Sequence, residues 1–252
     1  MTSKSEIKYF ASLKQKKYRK LENKFLAEGK RLVNEGINSN FECEKLFVTK
    51  HFYSCEDKFL NIVSKLNIEI DIIAEYDFAK LSSTKNPQGI VAVFKLKDNF
   101  NKIIENEPIV ALENISDPGN MGTILRSCDW FGIKNVIISR ESAEIYNPKV
   151  LRASMGAIFN LNIIENVDLI DEIKLLQSKN YFTFFADMKG VNYKNITWHK
   201  NTLITFCNEA NGPTEELKKV CKTNITIPKK GKIESLNVAA AAAVIISEMQ
   251  IS

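Results

Sequence analysis

Three polar clusters, each following a short apolar run, hold the residues best suited to chemistry in this chain. The first, Ala111 to Arg126, reads A-L-E-N-I-S-D-P-G-N-M-G-T-I-L-R and carries the amide of Asn120 and the guanidinium of Arg126. The second, F-C-N-E-A-N-G from Phe206 to Gly212, carries Glu209. The third, I-P-K-K-G-K-I-E-S-L-N-V-A from Ile227 to Ala239, carries Ser235 and Asn237. A guanidinium stays protonated and offers a planar fork of donors, which suits a phosphate or a developing oxyanion. Loops at the ends of neighbouring strands form the crevice in which such groups act. Taken alone, the first cluster is an ordinary strand, turn and helix with an N-cap and an arginine in solvent. At roughly 100° per residue, Asn120 and Arg126 lie about 120° apart, so they converge only on something lying across the helix.

The elements that must position these loops follow from periodicity. Ile109 to Leu112 is short, apolar and β-branched, which predicts a buried strand. Asp117-Pro118-Gly119-Asn120 predicts a turn, and from Met121 the residues Ile124, Leu125, Cys128 and Phe131 take helical spacing. The pattern then reads helix (120–131), strand (135–139), helix (147–153), a short strand near Leu161, helix (168–178) and strand (181–186). It continues with strand (202–206), helix (214–221), strand (224–227) and helix (235–249). That succession predicts an α/β fold with a mostly parallel sheet and helices on both faces.

Upstream, Leu13 to Lys24 predicts a basic helix with Leu13, Tyr18 and Leu21 as its apolar contacts. Phe25 to Ala27 is extended, and a helix from Lys30 to Glu35 ends at Gly36. A strand (Lys45 to Thr49), a helix (Ser54 to Leu66) and a strand placing Ile68, Ile70 and Ile72 on one face come next. A short helix (Tyr76 to Leu81) and a strand (Ile90 to Phe94) complete a small three-layer α/β unit. Lys95 to Glu107 is polar and aperiodic, as a linker is. The expected organisation is a first domain at 1–95, a linker at 96–107 and a second domain at 108–252.

Charge is unevenly placed. The whole chain carries +5, yet Met1 to Val33 holds ten Lys or Arg against three Asp or Glu, leaving the remainder near −2. A basic end on a nearly neutral body suits a polyanion, and equally a solvated helix. Lys16, Lys17, Arg19 and Lys20 are the candidate contacts. The five cysteines show no C-x-x-C spacing, which fits reduced thiols in the cytoplasm. Cys43, His51 and Cys55 lack a fourth ligand at usable spacing, so no metal is expected. The longest apolar run, Val238 to Ile246, is about half a membrane span, and no membrane association is expected.

The three loops, in this order and at these separations, resemble the SpoU (TrmH-type) branch of the SPOUT RNA methyltransferases, from about Pro108 onward. The family's first motif has Asn, Gly and Arg where Asn120, Gly122 and Arg126 stand. Its second is a Gly-x-Glu-x-x-Gly turn, from which Cys207 departs, and its third is an Ile-Pro…Gly…Ser-Leu-Asn-Val run. Upstream, Lys-x-Arg…Phe-Leu-Ala-Glu-Gly-x-Arg-Leu-Val resembles the L30e-like RNA-binding domain that often precedes it. The resemblance implies a C-terminal trefoil knot, S-adenosyl-L-methionine as cofactor, and 2′-O-ribose methylation of structured RNA, 23S-type rRNA or tRNA. It implies a homodimer whose active site lies at the subunit interface. It assigns chemistry to Arg126, with Asn120 and Glu209 holding the arginine and the loops, and substrate contacts to Ser235 and Asn237. Cys207, Gly212, Ile227 and Leu236 fall at cofactor positions, and Arg152 at a substrate-phosphate position. A non-catalytic RNA-binding protein on the same fold competes, supported by Cys207 alone; base methylation competes too, against motifs of the ribose-methylating branch.

Overall fold

The computed structural model describes residues 2–97 and 102–249; part of the expected linker, residues 98–101, lies outside them. The chain divides into two compact units, one of residues 1–98 with Tyr146–Phe159, the other of residues 99–145 with 160–252.

The first unit is built on four strands, β1 (Lys24–Glu28), β2 (Cys43–Thr49), β3 (Glu69–Ile73) and β4 (Ile90–Lys95), in the order β1-β4-β2-β3. β4 runs antiparallel to both neighbours, and β2 and β3 are parallel. One face buries Leu26, Phe47, Val91 and Val93 against Ile7 and Phe10 of a helix at Lys4–Ser12 and Phe78 of a helix at Glu75–Leu81. The other face carries an aromatic cluster in which Phe25 stacks with Phe94 and Phe159 and meets Tyr146 at 4.6 Å. Phe159 and Tyr146 come from the segment 146–159, well downstream of the expected first domain.

Several local expectations change. The helix Lys4–Ser12 was not foreseen, although Ser3 and Glu6 form a capping box that stops its first amides from going unpaired. The basic helix is shorter, Lys16–Glu22, because Leu13 is drawn into the core; Leu21 stays 69% exposed. Gly36 does not end its helix but lies inside Lys30–Ile37, where a Cβ would come within 2.3 Å of the Phe94 ring. Its smallness serves packing, not capping. The long helix expected at Ser54–Leu66 is two, Lys50–Cys55 and Asp57–Ser64. Ile72 is exposed on edge strand β3 while Ile73 enters the core.

The second unit holds six strands: β5 (Ile109–Glu113), β6 (Asn135–Ser139), β7 (Asn162–Val167), β8 (Phe182–Asn192), β9 (Thr202–Cys207) and β10 (Thr223–Thr226). Their order is β10-β8-β9-β5-β6-β7, and every pair is parallel. Central strands β5, β6 and β9 are buried along their whole length, as strands covered on both faces must be. Ile109 and Ala111 face a cluster with Ile173, Leu176, Leu217 and Cys221 from helices at Leu169–Ser178 and Glu215–Val220 and the residue after the latter. Helices Pro118–Trp130 and Val238–Met249 pack against each other. From β5 the chain steps outward to β6 and β7, then returns to the other side of β5. The β5–β9 pair is therefore the switch point, where a crevice opens at the strands' carboxyl ends.

Candidate active site

The loop after β5 begins with Asn114 in the left-handed region, φ 57°, and enters the helix at Asp117. The expected break at 117–120 is instead this helix's first turn. Asp117 caps it, accepting from the Asn120 amide at 2.8 Å, and Pro118 sits where its missing N–H costs nothing. The loop after β9 is stitched to it: the Asn208 side chain donates to the Asn114 carbonyl at 3.0 Å and to Ser116 Oγ at 3.2 Å. Asn208 also folds its own loop, accepting from the Ala210 amide through its side chain and from the Gly212 amide through its carbonyl. Gly212 takes φ 63°, and a Cβ there would stand in open space.

The third loop joins through Asn237. The last helix starts at Val238, three residues later than expected, because Asn237 caps it by accepting from the Ala239 and Ala240 amides at 3.0 and 3.3 Å. Asn237 therefore takes the capping role open to Ser235, which is exposed with no partner among the described residues. Asn237 Nδ2 donates to Asn120 Oδ1 at 3.0 Å, and Asn120 Nδ2 donates to Glu209 Oε1 at 3.4 Å. Glu209 Oε1 also accepts from the Val238 amide, placing a carboxylate at a helix N-terminus where the macrodipole favours it. One residue from each of three loops thus closes a single network.

Arg126 is not in it. Its side chain is exposed and has no hydrogen-bond or ion-pair partner among the described residues, so Asn120 and Glu209 hold each other and the last helix rather than the arginine.

Beneath the network lies a support formed by Glu113 and Thr214. Glu113, buried at the end of β5, accepts from Thr214 Oγ1 at 2.6 Å and the Thr214 amide at 3.1 Å. Thr214 in turn caps Glu215–Val220. The signal was present: an acid ends an apolar run, and Thr-Glu-Glu-Leu is an N-cap sequence.

The profile of the SpoU rRNA Methylase family matches residues 107–247. The chain belongs to the SpoU rRNA methylase family. That makes it an RNA methyltransferase. The MRM3-like substrate binding domain matches residues 4–92. Over 247 residues the chain is 28% identical to the Bacillus subtilis 23S rRNA (guanosine(2553)-2′-O)-methyltransferase, covering 97% of this chain and 96% of that one. A Porphyromonas gingivalis structure described as TrmH family superposes with a TM-score of 0.88 at 31% identity, over 100% of this chain and 99% of its own. An AdoMet-bound rRNA methyltransferase from Sinorhizobium meliloti gives 0.86 at 25% identity, over 100% and 97%.

In this SpoU methylase the departure at Cys207 puts no strain on the backbone. Cys207 ends β9 in regular pairing with Glu113, so its backbone is extended, and its side chain is buried in the sheet's core. Burial above all, then the neighbouring Glu113 charge, pushes the thiol's pKa far up. The thiol therefore stays neutral beside the carboxylate that Thr214 holds. Of the remaining positions expected to hold cofactor, Ile227 follows β10 and is half-buried, whereas Leu236 is exposed.

Of the RNA-facing candidates, Lys16, Lys17 and Lys20 are exposed, but Arg19 is only 2% exposed. Its Nη1 donates to the carbonyls of Leu13 and Lys14 at 2.9 and 2.8 Å, so it fastens the turn between two helices and does not face solvent. Arg152 belongs to the first unit, where its Nη1 donates to Ser83 Oγ and Ser83 donates to Glu28.

Proposed function

We propose that this protein transfers the methyl group of S-adenosyl-L-methionine to a ribose 2′-OH of structured RNA, a 23S-type rRNA in preference to tRNA. The Asn120–Glu209–Asn237 network carries the reading, since it ties together three loops widely separated in sequence. The residues fit the cofactor. Gly212 leaves open space beside a left-handed backbone, and Cys207 keeps its side chain in the core. Ile227 and Leu236 complete the cradle through their backbones, in the family's trefoil knot.

When bound, the cofactor supplies an electrophilic methyl on a sulfonium. The chain must hold the acceptor in line and deal with one proton. A permanently protonated arginine is a poor base, so Arg126 clamps the phosphate beside the acceptor and stabilises the oxyanion that develops on it. The proton passes to solvent or phosphate. Ser235 and Asn237 orient the ribose, with Asn120 and Glu209 fixing the loops. Arg152, Lys16, Lys17 and Lys20 meet RNA phosphates. The protein acts as a homodimer, supported by the last helix, apolar nearly all round, and in the cytoplasm, where its five free cysteines stay reduced. A first domain at 1–95, a linker at 96–107 and a catalytic domain at 108–252, from which residues 146–159 pack with the first unit, divide the work.

Mapping 2′-O-methyl sites in total RNA with and without the gene tests the reading. One rRNA site should vanish with the gene; an unchanged map overturns it. Light scattering should give twice the 28.6 kDa chain mass.

A further inference from the structure

We propose that Trp130 is the platform on which the substrate RNA stacks a base next to the nucleotide that Arg126 engages; this rests on the reading of the protein as an RNA methyltransferase. Trp130 is 80% exposed, the largest exposure of any large apolar side chain described, whereas the chain's other tryptophan, Trp198, is 7% exposed. An indole left in water is a large apolar surface without a partner, and it ends the helix that carries Asn120 and Arg126. Thr123, Arg126 and Trp130 stand at i, i+3 and i+7, so they form one stripe, and all three are exposed. Residues one turn apart have Cβ atoms about 5–6 Å from each other. A guanidinium without a partner among the described residues thus sits beside an indole in the same condition.

That pairing matches a single-stranded polynucleotide, which offers a phosphate to the cation and a base plane to the ring. A second copy of the chain is the competing cover. It would offer the indole an apolar surface but would bring Arg126 no phosphate. RNA brings the counter-charge with it. Nothing in the packing asks for tryptophan here, since the helix buries Met121, Ile124, Leu125 and Cys128 on its other side.

The test uses the full chain and an unmodified transcript of 23S-type rRNA. Acrylamide quenching is measured on a Trp198→Phe variant, in which only Trp130 emits. Trp130 should be open to quencher without RNA, at concentrations where the chain is dimeric, and protected once RNA is added. Trp130→Ala should weaken RNA binding about five- to a hundredfold, with S-adenosylmethionine affinity and oligomeric state unchanged, and Trp130→Phe should recover most of the loss. Shielding of Trp130 before RNA is added means that a second copy covers it, and overturns the proposal. So does Trp130→Ala binding RNA within twofold of wild type while wild type methylates. A wild-type chain that modifies no RNA overturns the functional reading as well.

Discussion

Replacing Cys207 by glycine, the residue the family pattern puts there, should cost stability and leave the cofactor site intact. Cys207 is buried among Ala111, Leu217 and Cys221, and its backbone pairs regularly with Glu113. Glycine in a strand interior loses about 0.5–1 kcal/mol to backbone entropy. Removing a buried CH2–SH group and leaving its cavity adds about 1–2 kcal/mol. Glu113 is unaffected, because Thr214 still satisfies both carboxylate oxygens. The sum, about 1.5–3 kcal/mol, lowers the melting temperature of a chain this size by about 3–12 °C. Thermal melts and calorimetric titration with S-adenosylmethionine together check this. The expected result is a lower melting temperature with an affinity within about threefold of wild type. An unchanged melt, or an affinity altered by more than about tenfold, would show that the Cys207 side chain meets the ligand instead of the core.

Arg126→Ala should lower the single-turnover methylation rate about a hundred- to a thousandfold while cofactor affinity stays near wild type, and Arg126→Lys should rescue little because a point charge does not reproduce the fork. Retention of more than about a tenth of the rate at saturating RNA and cofactor would move the work to Ser235 or Asn237. Glu28 is expected to make the first unit acid-labile. Burial opposes its charge, but donors from Ser82, Thr84 and Ser83 outweigh that and hold its carboxyl below the ordinary 4.5. A depressed folded value means that stability is present above about pH 4.5 and is lost as pH falls through it, so Glu28→Gln should flatten the decline in urea midpoint below that pH. Replacing Lys16, Lys17 and Lys20 together by serine should reduce the salt slope of RNA binding by about 2–3 without moving the melting temperature. Arg19→Ala should do the reverse, lowering the melt and sparing the slope, since its guanidinium holds carbonyls.

What the sequence made legible follows from the range of the forces involved. Strands β5, β6 and β9 are covered on both faces, so their uninterrupted apolar runs mark them, and their parallel succession marks the sheet. The site's polar residues stand out for a related reason: asparagines, an acid and an arginine beside such runs are chemically out of place. Position within a turn is a finer matter. Pro118 reads as a breaker but starts a helix, because only the Asp117 cap distinguishes the two, and Asn237 displaces Ser235 as the last helix's cap by the same kind of local competition.

Contacts between distant segments leave no local trace. Gly36 looks like a helix terminator until Phe94 and Phe159 are seen to occupy the space where its side chain would be. Arg19 looks like part of a basic face until Leu13 is pulled into the core and its carbonyl, with that of Lys14, needs a donor. Tyr146 and Phe159 lie within the stretch matched by the methylase family yet complete the first unit's aromatic cluster, so a boundary drawn from composition misses them. Arg126 is the opposite case. On the proposed reading its residue type and spacing mark it, and its exposure and lack of a partner among the described residues leave its geometry for RNA to complete. A clamp prepaired with a protein carboxylate would have to break that pair before gripping a phosphate, at a cost of up to about 1 kcal/mol for an exposed ion pair. If Arg126 is the proposed clamp, an unpaired arginine on a helix whose neighbouring loops are fixed by Asn120, Glu209 and Asn237 meets its substrate without that cost.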